Sequence, residues 1–214
     1  MSSPTKLAEI AKKVKRCTSC PLYKGTNNGV PGSGNASADI MFIGEAPGFH
    51  EDRQGLPFVG AAGKLLDKSL AAINLKRDDV FIGNMIKHRP PSNRDPSEEE
   101  LEACRPYIDA QIKAINPKII VTLGRFSMGK FIPDVKISQV HGQARWVNFN
   151  DQKILVMPMY HPAAALRNGY MMGHFQADFQ KLTQILKFLN DPKANSLLTS
   201  KEETEPKKEQ LSLI

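Results

Sequence analysis

Four short apolar runs punctuate the chain: DIMFIG at 39–44, VFIGN at 80–84, KIIVTLG at 118–124 and KILVMPM at 153–159. Each is nearly continuous in aliphatic or β-branched residues and bounded by turn residues, the pattern of strands buried on both faces of a parallel sheet. Helical periodicity occupies the segments around them. Residues 4–16 carry Leu7, Ile10, Ala11 and Val14 at helical spacing, and 60–75 place Leu65, Leu66, Leu70 and Ile73 on one side. The segment 97–115 opens with the capping-box pair Ser97 and Glu100, and about 173–190 carries Phe175, Phe179, Leu182, Ile185 and Leu186. Strand–helix alternation predicts an α/β fold, a three-layer αβα sandwich with a central, mainly parallel four-stranded sheet. Beyond about 190 the chain turns polar, charged and aperiodic, ending in QLSLI. The expected organisation is one domain over 1–190 and a disordered tail over 191–214.

Composition narrows the function classes. With 41% hydrophobic and 24% charged residues, the 214-residue chain has the balance of a globular domain with a core. No apolar run approaches the roughly 20 residues needed to span a bilayer. The start, MSSPTKLAEIAKKVKR, lacks the apolar stretch of a secretory signal, so a cytoplasmic, nucleoid-associated protein without a membrane partner is expected. The net charge of +7 suits a polyanionic partner such as DNA or RNA, although charge alone does not distinguish it from an ordinary basic protein. Cys17, Cys20 and Cys104 form an odd set, which argues against a disulfide framework.

In a parallel α/β sheet, ligands bind beyond the carboxyl ends of the strands. The first run leads into Gly44-Glu45-Ala46-Pro47-Gly48 and then Phe49-His50-Glu51-Asp52. GLPFVGAAG at 55–63 follows and opens a helix. The second run ends in Asn84, and the fourth leads to His161-Pro162-Ala163-Ala164-Ala165-Leu166-Arg167. Taken singly, GEAPG is a glycine-rich loop, Asn84 a turn residue and His-Pro a structural pair. All three fall at the same predicted sheet end, which favours a shared site.

GEAPGFHED, GLPFVGAAGKLLD, NMIKHRPPSNRDP, EACRPYI, LG and HPAAALRN occur in this order. Together, over about residues 10–190, the chain resembles the family 4 uracil-DNA glycosylases, the iron–sulfur branch of that superfamily. The resemblance implies a base-excision-repair hydrolase that cuts the N-glycosidic bond of uracil in single- or double-stranded DNA. Phe58 would stack on the flipped base, and Asn84 would read its edge, donating to O4 and accepting from N3–H. Glu51 would stand where the methyl of thymine would go. The backbone near Glu45, Ala46 and Gly48 would contact the base and hold the water, and His161 would donate towards O2 in either protonation state. An aspartate in the best-known uracil-DNA glycosylases aligns the attacking water; Ala46 stands there, as in family 4, which leaves Glu45 or backbone for that task. The catalytic residues implied are thus His161 and Glu45. No active-site lysine is evident for a Schiff base, so a monofunctional enzyme is expected. Leu166 and Arg167 would enter the DNA and fill the gap left by the flipped base.

The same resemblance implies a [4Fe–4S] cluster. Family 4 carries a CxxC, matched here by Cys17 and Cys20, and two later cysteines. Cys104 matches one, but His88 stands where the other would be. Histidine can ligate iron–sulfur clusters, so Cys17, Cys20, His88 and Cys104 are the expected ligands, with structural zinc or no bound group as alternatives. A relative that crosslinks to uracil-DNA is similar in having histidine at this place. It also has a basic insert ending in its reactive histidine; here RPPSNRDPSEEE follows His88, so turnover rather than trapping is expected. The tail residues Gln210, Leu211, Leu213 and Ile214 are similar to the short peptide by which bacterial proteins bind the β sliding clamp, although Ile214 replaces the usual phenylalanine. A monomer is expected. Two other functions stay open: a catalytically weak or silent uracil-DNA-binding scaffold recruited to the clamp, and an enzyme with altered base choice.

Overall fold

The structure is a computed structural model that describes residues 2–150, 152–189 and 191. Its elements run α1 (Ser3–Lys15), β1 (Ser33–Gly34), β2 (Ile40–Gly44), α2 (Phe49–Gln54), α3 (Ala61–Ala71), β3 (Phe81–Asn84) and α4 (Glu98–Ile115). They continue β4 (Ile119–Leu123), α5 (Arg125–Gly129), α6 (Ile137–Val140), β5 (Arg145–Phe149), β6 (Gln152–Met159), α7 (Pro162–Arg167) and α8 (Gly169–Leu189). The four apolar runs are β2, β3, β4 and β6, and they pair in parallel as β3-β2-β4-β6. Every residue of β2, β3 and β4 is buried, as strands covered on both faces require.

The sheet has six strands rather than four, in the order β1-β3-β2-β4-β6-β5. The two additions are antiparallel edges. β1 is only Ser33 and Gly34, inside a glycine-rich loop, so it carries no apolar signal. β5 alternates half-buried and exposed residues, the signature of a strand with one face in solvent.

Successive strand residues face opposite layers. Phe42, Val121 and Met157 pack with Leu66, Leu70, Phe175 and Phe179 from α3 and α8. Met41, Ile43, Ile120 and Val156 pack with Ile108, Ile112 and Ile115 from α4, against which Leu7 of α1 rests. This is the three-layer sandwich. α4 starts on the expected capping box, with Ser97 Oγ accepting the Glu100 N–H at 3.3 Å and the Glu100 carboxylate accepting the Ser97 N–H at 2.9 Å. α8 starts earlier than periodicity predicts, because the Asn168 side chain accepts the N–H groups of Tyr170 and Met171. The expected tail, including the residues proposed for clamp binding, lies outside the described residues apart from Asp191. No helix among the described residues is long and apolar enough to cross a membrane.

Candidate active site

The parallel strands deliver their carboxyl ends to one edge of the sheet, and a cavity of about 550 Å³ opens there. Glu45, Ala46 and Gly48 line it from the exit of β2, Asn84 from β3, Gly124 and Arg125 from β4, and Tyr160 and His161 from β6. Glu51, Phe58 and Arg167 complete the wall. Every residue expected to bind the base is therefore on one hollow. Leu166 stands apart on α7 with 47% of its surface exposed. Tyr160, Arg125, Asn93, Arg94 and Asp95 also line the cavity and were missed from sequence. For Tyr160 and Arg125 the signal was present, since both lie just past an apolar run.

The floor depends on a close approach. A Cβ on Gly44 would fall 2.5 Å from both Asn84 Oδ1 and Phe58 Cζ, so only glycine lets these two side chains converge. Phe58 is buried, and its ring lies 5.7 Å from the His161 imidazole at an interplanar angle of 30°. Asn84 is 2% exposed, and its Oδ1 has no hydrogen-bond partner among the described residues. Its backbone, by contrast, is tied down. The fully buried Lys87 donates from Nζ to the Asn84 carbonyl and to Gln111 Oε1, both at 2.8 Å. Burial pulls the Lys87 ammonium down to about 8.

His161 caps α7, its Nδ1 accepting the Ala163 N–H at 3.1 Å. Burial, helped by the Arg167 charge and opposed by Glu51, pushes its pKa down to about 4. The imidazole is thus neutral near pH 7. With Nδ1 occupied as an acceptor, its proton sits on Nε2. Glu45 is shifted the other way: burial, and then the Asp95 charge, raise its carboxyl above the usual range against the pull of Arg125. Glu51 is a buried brace. Its Oε1 accepts the N–H groups of Val59 and Gly60 at 2.8 Å each, and its Oε2 accepts the Gly48 N–H at 3.1 Å.

A sequence profile of the Uracil DNA glycosylase superfamily matches residues 31–187. The chain is 49% identical over 183 residues to the Type-4 uracil-DNA glycosylase of Saccharolobus solfataricus, covering 83% of this chain and 85% of the relative. It belongs to the type-4 uracil-DNA glycosylase family. The corresponding proteins of Sulfurisphaera tokodaii and Thermotoga maritima are 46% and 42% identical over 185 and 159 residues. These matches span 84% of both chains for the first, and 74% of this chain and 82% of the relative for the second.

In this type-4 family member Cys17, Cys20 and Cys104 are all buried and unbridged. Cys20 and Cys104 share a small apolar nest with Leu22 and Ile86, against which Ala46 of the cavity wall packs. Burial raises the Cys20 thiol, and raises Cys104 to about 11 despite a hydrogen bond from the Lys87 N–H. Burial also acts to raise Cys17, but hydrogen bonds with Ser19 and Tyr107 outweigh it and lower that thiol. His88 is buried, and its Nδ1 has no hydrogen-bond partner among the described residues. Three shielded thiols and one orphaned imidazole nitrogen are the donor chemistry of a metal centre. No group of three or more such side chains among the described residues is placed to hold one metal ion.

Around this nest the N-terminal segment is pinned by long-range polar contacts. Asp52 accepts the N–H groups of Asn27 and Asn28 at 2.8 and 3.2 Å, and the Asn28 amide donates to the Asp52 carbonyl at 2.7 Å.

Proposed function

We propose that this chain is a monofunctional DNA glycosylase that hydrolyses the bond between uracil and deoxyribose and leaves an abasic site. One observation carries the reading: Asn84, whose buried amide oxygen has no partner among the described residues, lines the same hollow as an aromatic plate, Phe58, and an imidazole, His161. Family membership supports the same conclusion. An orphaned buried acceptor costs stability, about 1–3 kcal/mol, unless a ligand fills it. The uracil N3–H fills it, while the Asn84 amide N–H donates to O4. Cytosine has a lone pair at N3 and a donor at N4, so it leaves both halves of the amide opposed to like groups.

The flipped base stacks on Phe58. As the N1–C1′ bond breaks, its electron pair leaves with the base and negative charge builds on O2. Neutral His161 donates to O2 from Nε2, an aimed donor of the kind worth about 3–4 kcal/mol at a developing oxyanion. Water attacks C1′ and passes a proton to Glu45, whose raised pKa makes it a stronger base than an exposed carboxylate. Glu51 fixes both walls and stands against the C5 side of the base, excluding the thymine methyl. No lysine lines the cavity among the described residues, which accords with hydrolysis rather than a Schiff-base lyase step. Leu166 and Arg167 on α7 enter the duplex where the base has left.

Cys17, Cys20, Cys104 and His88 hold a [4Fe–4S] cluster in this reading. When bound it supplies a structural staple joining the N-terminal segment to the loop behind Ala46. Residues 210–214 tether the enzyme to a β sliding clamp; deleting them is expected to abolish co-elution with the clamp and leave uracil release unchanged. The enzyme works as a monomer on single- or double-stranded DNA. The deciding assay incubates anaerobically purified protein with a uracil-containing oligonucleotide. Free uracil and an alkali-labile site are expected. Tight binding without product would favour the silent scaffold and overturn the glycosylase.

A further inference from the structure

The base-stacking ring sits on a backbone that needs holding. Phe58 has φ of +52°, the left-handed region that a bulky side chain disfavours. The peptides on either side of it are gripped by opposite charges. Arg77, from the turn Arg77–Asp79, donates to the Phe58 carbonyl at 2.9 Å and to the Pro57 carbonyl. Glu51 accepts the next two N–H groups, those of Val59 and Gly60. Asp67 on α3 fixes the guanidinium at 2.9 Å. Gly63 closes the fit from behind, since a Cβ there would fall 1.7 Å from the Phe58 carbonyl oxygen.

We propose that Arg77 is a positioning residue for base stacking: its forked guanidinium, aimed by Asp67, holds the Pro57–Phe58 carbonyls so that the Phe58 ring stays against Gly44 and opposite His161. The inference rests on the glycosylase reading for its consequence, and on the geometry alone for the clamp. A planar fork reaches two carbonyls and a carboxylate at once, which a lysine's point charge cannot do. Arg77 is not among the residues that line the cavity. Its effect must pass through Phe58, and this separates it from a residue that merely stabilises the fold.

The test is a double-mutant cycle on uracil release using Arg77→Ala, Phe58→Ala and the pair, with a crystal structure of the Arg77→Ala protein. Alone, Arg77→Ala is expected to lower kcat/KM about tenfold or more, the loss of at least one charge-assisted hydrogen bond. In the Phe58→Ala background the same change is expected to cost less than about twofold, because the group it serves is gone. The structure should show the Phe58 ring displaced from His161. Arg77→Lys, which keeps the charge, is expected to recover only part of the loss and serves as the variant if Arg77→Ala does not fold. Equal losses in both backgrounds, or a Phe58 ring unmoved without Arg77, would overturn the proposal. If the unaltered protein released no uracil, the glycosylase reading would fall, while the position of Phe58 would still decide the clamp.

Discussion

Replacing Asn84 by alanine should separate activity from stability, and in opposite directions. In the free protein the side-chain oxygen is buried beside Gly44 and Phe58 with no hydrogen-bond partner among the described residues. The carbonyl that anchors this residue to Lys87 belongs to the backbone and survives the substitution. Removing the side chain thus relieves an orphaned acceptor, about 1–3 kcal/mol, and forfeits packing of about 1 kcal/mol. The net is between about zero and 2 kcal/mol in favour of the fold. For a chain of this size that is a Tm unchanged or raised by up to about 8 °C, at about 2–4 °C per kcal/mol.

The reaction should suffer instead. Inside the cavity the uracil N3–H and O4 would both lose their partners, at about 1–3 kcal/mol each. A total near 4 kcal/mol lowers kcat/KM by about three powers of ten, since 1.36 kcal/mol is tenfold. Single-turnover uracil release and thermal melting of the same preparation measure the two halves. A loss of activity under tenfold, or a Tm that falls in step with activity, would mean that Asn84 is a structural turn residue and that the base-reading argument is wrong.

The pKa of His161 supplies a test in pH. Its folded value, about 4, lies below the ordinary 6.5, so between those values the unfolded chain binds more protons than the native one. Stability from this residue is complete above about pH 6.5 and is lost as pH falls to 4; His161→Leu should flatten that part of the Tm profile and also lower kcat by about a hundredfold or more through the lost donor. Leu166→Ala should cut activity on duplex DNA by about tenfold while sparing single strands, because only a duplex must be unstacked; equal losses on both would remove the wedge role. Anaerobically purified protein should carry about four irons per chain and visible absorbance. Removing the iron with a chelator should bleach the colour and lower Tm, and His88→Ala should make that loss faster; colourless protein containing zinc would overturn the ligand reading.

The parallel strands and the cavity edge were legible because burial on both faces leaves continuous apolar runs, and because sheet topology sends their ends to one side. Glu45, Asn84 and His161 could be found by looking at or just past the end of a run. The edge strands were not legible: Ser33–Gly34 is too short to carry a pattern, and Arg145–Phe149 alternates with polar residues. Nor were the braces. Arg77 and the Phe58 carbonyl are 19 residues apart, and Asp52 meets Asn27 and Asn28 across 25 and 24. Such pairings arise only when the chain folds back, and no local spacing encodes them. The protonation of His161 was likewise open until the Ala163 N–H was seen to occupy Nδ1.

These braces share one logic. Asn84 is held through its carbonyl by Lys87, Phe58 through its flanking peptides by Arg77 and Glu51, and His161 through Nδ1 by the first turn of α7. In each case the protein satisfies the groups that point away from the cavity and leaves free the face that points in. Hydrogen bonds to backbone fix position without consuming the amide, the ring face or the Nε2 proton that the base requires. A site built this way is organised before substrate arrives, so little binding energy goes into ordering it. The cost appears as an unpaired oxygen on Asn84, an unfavourable backbone angle at Phe58 and a half-buried neutral imidazole at His161. A flipped uracil relieves the first of these directly, which is why occupancy by the base should stabilise the fold, and why a base that cannot donate from N3 should not.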